Sequence, residues 1–223
     1  MAALVLDRTK QMTHGLNEMA RHCYGYGRWA APYWFIGPEQ GMGRSENDDL
    51  TRRVEVWCAL GKHELDDCRK FHQRIGEDKW HRTRPRLQST WRPLILLLMT
   101  YLDRPADNER LRNYQRDEWG TLNGETCVIE LCGIPAHSSI VKRNRECFRE
   151  ERIQEIRQRM QSYNPEWIVM YGMGQKKHWI AITQREFPHD NILKIGGTRI
   201  ALTPHPVSCA WTNDEWKQLS KRL

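Results

Sequence analysis

Four short, mostly apolar runs punctuate the chain: Tyr33-Trp-Phe-Ile36, Cys127-Val-Ile-Glu-Leu131, Trp167-Ile-Val-Met-Tyr171 and Arg199-Ile-Ala-Leu202. The first and third run directly into Gly37 and Gly172, the second reaches Gly133 after one further residue, and the fourth passes into Thr203-Pro204. Runs of this length that end in turn residues are the pattern of strands buried on both faces, as in a parallel sheet with loops at its carboxyl edge. Between the first two runs the pattern predicts helices over 48–62, 64–75, 89–102 and 107–118. Asn47 or Asp48, Ser89 and Asp107 serve as N-caps there, and Gly61, Gly76 and Gly120 as stops. The segment 141–162 sets Val141, Cys147, Phe148, Ile153, Ile156 and Met160 in a field of Arg and Glu, which predicts an amphipathic helix with a basic outer face. Further helices are predicted over 176–183 and 213–223, the latter capped by Thr212 or Asn213, with a turn or hairpin over 187–197.

Strands alternating with helices predict a three-layer α/β/α arrangement around a short, mainly parallel four-stranded central sheet, with residues 1–223 forming one domain. Such sheets bind ligands outside the carboxyl ends of their strands. The loops at Gly37, Gly133, Gly172 and His205 are therefore expected to face one crevice.

Charge adds a partner class. The formal net charge of the 223 residues is +7, which suits a polyanion but does not require one. The seven cysteines form an odd set with no Cys-x-x-Cys pair, which argues against a disulfide framework and against a four-cysteine metal cluster. Cys127 and Cys132 stand five apart on a predicted strand and should point to opposite faces, so reduced, buried thiols and a cytoplasmic location are expected. The run Leu94–Met99 is far too short to span a bilayer, and no membrane association is expected. The ten tryptophans are expected mostly to pack rather than to stack on bases.

Two segments suggest chemistry. Phe35-Ile-Gly-Pro-Glu-Gln-Gly41 resembles the first motif of the uracil-DNA glycosylase superfamily, and Thr203-Pro-His-Pro-Val-Ser208 resembles its second, His-Pro-Ser. Glu130-Leu-Cys-Gly-Ile-Pro135 is similar to that family's strand-end Asn followed by a proline turn, and Asn164-Pro-Glu-Trp-Ile-Val-Met-Tyr-Gly172 to its third strand. The four motifs, in order, cover roughly residues 30–223. Three positions depart from the family: Gln40 replaces a usual Pro, Val207 a Ser, and Glu130 the Asn that reads the base.

The resemblance implies a DNA glycosylase that flips a damaged or deaminated base and hydrolyses its bond to deoxyribose. It implies no metal, no cofactor and no covalent lysine intermediate, with DNA as the partner of a monomer. Cleaving an N-glycosidic bond needs a carboxylate near the cationic sugar and a donor near the departing base. Glu39 matches the family's catalytic Asp or Asn, and His205 its base-facing histidine. Gly37, Gln40 and Glu130 would bind the base, whereas Gly41, Gly43, Ser208 and Trp211 would hold the DNA backbone and fill the gap left by the extruded base. Arg44, Arg82, Arg84, Arg86, Lys176 and Lys177 are candidate phosphate contacts.

Each assignment has a structural alternative: a backbone cap for Glu39, a turn histidine for His205, an ion pair with Arg145 for Glu130 and a staple on the last helix for Trp211. Two other functions also fit, a non-catalytic nucleic-acid-binding member of the family and a hydrolase of free nucleosides or nucleotides.

Overall fold

The computed structural model describes residues 14–41, 46–135 and 148–223. The strands are β1 (Gly25–Gly27), β2 (Tyr33–Glu39), β3 (Leu65–Asp66), β4 (Thr126–Cys132), β5 (Trp167–Tyr171), β6 (Ile192–Ile195) and β7 (Thr198–Thr203). Residues 14–22 are helical and are called α1. The later helices are α2 (Glu46–Ala59), α3 (Cys68–Arg74), α4 (Trp91–Tyr101), α5 (Asn108–Asp117), α6 (Arg149–Tyr163), α7 (Lys176–Thr183) and α8 (Asn213–Ser220).

The four apolar runs become β2, β4, β5 and β7, which pair in parallel in the order β4-β2-β5-β7. The class is α/β, but the expectation of a four-stranded sheet is too small. Among the described residues the sheet has seven strands in the order β3-β1-β4-β2-β5-β7-β6 and is mixed, because β1 runs antiparallel to β4 and β6 antiparallel to β7.

Each additional strand lacks a local signal for a physical reason. β1 is Gly-Tyr-Gly, and a Cβ on Gly25 would stand 2.2 Å from the carbonyl oxygen of Val128, one on Gly27 2.1 Å from that of Thr126. Only glycine lets the β1 backbone lie so close to β4, and a three-residue strand has too few positions to show alternation. β3 is two residues inside the segment predicted as one helix over 64–75. The helix starts later, at Cys68, because the Asp67 side chain accepts a 3.0 Å hydrogen bond from Lys70 N–H and caps it. β6 falls within the predicted hairpin and joins β7 through Gly196-Gly197. Asp107 caps α5 and Thr212 caps α8, but Ser89 caps nothing: α4 begins at Trp91 with Thr90 before it.

Helices cover both faces of the sheet. On one face, Phe35, Val128, Trp167 and Val169 pack with Met19 of α1, Trp57 of α2, Phe71 of α3, Leu98 of α4 and Trp216 of α8. On the other, Ile36, Ile129, Ile168 and Met170 pack with Ile156 and Met160 of α6 and with Trp179 and Ile182 of α7. Cys127 and Cys132 lie on opposite faces, as alternation requires. Six of the ten tryptophans are fully buried, so most of the tryptophan content belongs to the core. Among the described residues, no helix is long and apolar enough to cross a membrane.

One buried cation ties the layers together at the carboxyl edge of β4. Arg152 of α6, 1 % exposed, donates to the backbone carbonyls of Glu130 (2.7 Å) and Leu131 (3.0 Å) on β4 and to those of Ala20, Arg21 and Cys23 at the end of α1. Its guanidinium also lies over the ring of Tyr24, 4.1 Å from the centroid. Gly133, next along the chain after β4, packs against the same helix end, where a Cβ would meet the carbonyl oxygens of Cys23 and Met19 at 2.6 and 2.7 Å.

Candidate active site

The geometry of the site follows from a missing side chain. Gly37 of β2 pairs with Glu130 of β4, and one step past the last paired residues of β2 and β5 it neighbours Tyr171. All three positions point to the same face of the sheet, with Gly37 in the middle. A Cβ at position 37 would lie 2.1 Å from Tyr171 Oη and 2.3 Å from Glu130 Oε2, so the absence of one is what allows these side chains to meet across the strand. Tyr171 Oη donates to Glu130 Oε1 at 3.4 Å, while Glu130 Oε2 is buried with no hydrogen-bond partner among the described residues.

Alternation carries Glu39 onto the same face one pair further along β2. The chain after β7 brings His205 alongside, its ring edge-on to Tyr171 with centroids 5.5 Å apart. Glu39, Gln40, Gly41, Glu130, Tyr171 and His205 all line one cleft of ≈ 520 Å³ at the carboxyl ends of the parallel strands. Its opposite wall comes from Arg53 of α2, His72 of α3 and the segment holding Trp80, Gln88 and Trp91.

Electrostatics differentiates the acidic and basic groups. Burial pushes the Glu130 carboxyl up to about 8, and the nearby charge of Glu39 pushes in the same direction. Near pH 7 Glu130 is therefore mainly a neutral acid, offering one O–H donor and one acceptor, as an amide does. Partial burial lowers the pKa of His205 and outweighs the raising effect of Glu39, so the imidazole is neutral. His205 Nδ1 accepts from the backbone N–H of Val207 at 3.3 Å, which leaves the ring proton on Nε2 as a donor. Arg53, 4 % exposed, is paired with Asp49 at 3.2 Å and donates to Gln40 Oε1 at 2.9 Å. An Arg can only donate, so Gln40 turns its oxygen toward Arg53 and keeps its amide hydrogens for other partners.

The remaining predicted positions are dispersed. Gly37 supplies space rather than contact. Gly41 is exposed, and among the described residues a Cβ placed there would meet nothing within 4 Å. Ser208 and Val207 are exposed on the loop after His205. Trp211 packs edge-on to Trp216 with centroids 4.9 Å apart, beside the capping box of Thr212 and Glu215. It thus forms a hydrophobic staple on α8 rather than a wall of the cleft. Gly133 and Gly172 are not among the described residues that line the cleft: Gly133 serves the α1 contact, and the Gly172 carbonyl accepts from Trp179 Nε1 at 3.1 Å. Gly43, Arg44 and Arg145 lie outside the described residues.

No family model, curated protein or solved structure matches this chain. The chemistry of the site therefore rests on its own geometry. Sequence reasoning missed Tyr171, Arg53 and Trp80. Tyr171 carried a usable signal, because it ends a predicted buried strand and a phenol there must find a polar partner; Arg53 and Trp80 reach the cleft only through the packing of α2 and of the segment after α3.

Proposed function

We propose that this chain is a DNA N-glycosylase of the uracil-DNA glycosylase type, hydrolysing the bond between a damaged or deaminated base and its deoxyribose. The observation that carries this reading is the convergence of Glu39 at the end of β2, Glu130 in the carboxyl half of β4 and neutral His205 in the loop after β7 on one cleft. In the proposed reaction the C1′–N bond breaks and its electron pair leaves with the base. Glu39 stabilises the cationic sugar and takes the proton of the water that adds to C1′. His205 donates from Nε2 to the base carbonyl as negative charge builds there. Glu130 as a neutral acid, with the Gln40 amide, reads the hydrogen-bonding edge of the extruded base.

Polymeric DNA is favoured over a free nucleoside by a second depression of ≈ 1050 Å³ that shares Trp80 with the cleft and carries Arg84, Arg86, Arg112 and Arg116. Arginines there would follow phosphates leading to the cleft, and Trp80 offers a ring for stacking.

The test is an oligonucleotide panel carrying uracil, hypoxanthine, xanthine and oxidised pyrimidines, assayed as alkali-labile breaks at enzyme excess. At least one lesion should be released, and Glu39→Gln should slow that release about 100-fold or more while leaving binding nearly unchanged. No release from any lesion would sink the glycosylase reading. Wild-type rates in Glu39→Gln would make Glu39 structural. Release from a nucleoside monomer with none from DNA would shift the substrate class.

A further inference from the structure

We propose that Cys68, His72 and His81 form a binding site for one divalent zinc-like cation in the wall of the cleft. Asp67 caps α3 so that Cys68 and His72, at i and i+4, fall on one face of the first turns. The short helical turn Asp78–Trp80 then carries His81 back against the same face. Cys68 Sγ stands 3.4 Å from His72 Nδ1 and 3.8 Å from His81 Nε2, and the sulfur and one nitrogen of each ring all lie within 4.8 Å of one another. With metal–sulfur and metal–nitrogen bonds of about 2.3 and 2.0 Å, the sulfur–nitrogen edge of a tetrahedral zinc site is about 3.5 Å. Both sulfur–nitrogen distances lie close to that edge.

The surroundings strengthen the case. All three residues are buried, Cys68 at 0 %, His81 at 1 % and His72 at 6 % exposure, in a box of aromatic rings. Trp91 lies 5.3 Å from the His72 ring and 6.0 Å from that of His81, and Tyr26 lies 5.2 Å from His72. Among the described residues His72 Nδ1 bonds the Cys68 carbonyl at 2.7 Å, a bond that ligation through this nitrogen would replace with the ring proton moved to Nε2, and His81 Nδ1 has no partner in hydrogen-bonding geometry, although the Arg116 backbone acts on the ring. Buried imidazoles and a thiol without enough partners are costly, and a shared cation would satisfy them together.

Thiolate with two imidazoles and no carboxylate selects zinc or cobalt over magnesium or calcium. On binding, the thiol proton is released to solvent as the sulfur–metal bond forms, and the thiolate cancels half of the cation's charge. The positive Arg53 nearby is itself paired with Asp49. Three protein ligands leave a fourth position; His72 and Tyr26 both line the cleft, and Tyr26 Oη is buried with no partner among the described residues. The cation would thus brace α3 and the turn after it against the cleft, with one coordination position left for Tyr26 or water.

The experiment titrates Co²⁺ into the full chain, purified without a metal-binding tag and stripped with chelator. One equivalent should produce thiolate-to-cobalt charge-transfer absorption and the intense visible bands of tetrahedral cobalt, and Zn²⁺ should displace it. Both signals should vanish in Cys68→Ser and His81→Gln but persist in Cys58→Ser, which removes an exposed thiol. Absence of a charge-transfer band, or its survival in Cys68→Ser, would overturn the site. Should the variants fail to fold, wild-type thermal unfolding decides: the midpoint should climb with Zn²⁺ concentration and ignore Mg²⁺, and no climb overturns the proposal.

Discussion

Glu130 sits in a strand interior, between Ile129 and Leu131, where a carboxylate is expected only with a partner, and the cation closest to it along the fold, Arg152, bonds its backbone rather than its side chain. The consequence is a retained proton, and that proton is measurable as stability. The Glu130 pKa rises from 4.5 to about 8 on folding, so its contribution is fully present below pH 4.5 and disappears as pH climbs through about 8. Other shifted groups also act near this range: the lowered imidazoles of His178 and His205 add a little up to about pH 7.5, and the buried thiols of Cys23 and Cys127, raised by burial, cost a little above about pH 8, but the wild type and Glu130→Gln share these effects. Between pH 6.5 and 8.5 the wild type should therefore lose about 2 kcal/mol relative to Glu130→Gln, at about 1.4 kcal/mol per pKa unit. Glu130→Gln keeps shape and hydrogen-bonding capacity but cannot ionise, so it is the reference against which that loss is read. Urea melts of both proteins at the two pH values provide the check, and parallel losses would show that Glu130 is already ionised at neutral pH.

At the level of elements, the cleft depends on β4 being held at the right height relative to α1 and α6. Arg152 does this with five donations to backbone carbonyls from two separate elements. Removing it leaves several buried acceptors unpaired, each worth about 1–3 kcal/mol. Arg152→Met, which preserves the apolar stem, is expected to destabilise the fold by at least about 3 kcal/mol, read from denaturant midpoints. A loss under about 1 kcal/mol would mean that water takes over these carbonyls and that the clamp is dispensable. The staple of Trp211 on Trp216 belongs to the same scale: it fixes how the chain leaves the His205 loop and enters α8, which packs back on α4.

Over the whole molecule, the +7 charge matters through its placement. Arg84, Arg86 and Arg112 are exposed in the depression that meets the cleft at Trp80, whereas Arg152 and Arg53 are buried and committed to internal partners. If the depression follows a DNA backbone, affinity should fall linearly with salt on logarithmic axes, and each lost phosphate contact should reduce the slope by about 1. Replacing Arg84, Arg86 and Arg112 together with Gln is expected to flatten the slope by up to about 3 while thermal stability stays unchanged. Fluorescence anisotropy of a labelled duplex across a salt series would reveal it, and an unaltered slope would move the backbone path elsewhere.

The sequence by itself determined what depends on local pattern. Buried strands announce themselves through apolar runs ending in Gly or Pro, and parallel strands place their carboxyl-end loops on one side, while it was the resemblance to the glycosylase motifs that singled out Glu39, Gln40, Glu130 and His205, which line one cleft. Tertiary structure decided what depends on pairs distant in the chain. β1 and β3 become strands only because glycines admit one backbone against another and β4 offers an edge to pair with. Glu130 keeps its proton because packing buries it near Glu39, Tyr171 meets it only across the space that Gly37 leaves, and Cys68, His72 and His81 meet only when the turn after α3 folds back. Register, desolvation and convergence are properties of the packed chain, and a pattern along the sequence carries no measure of them.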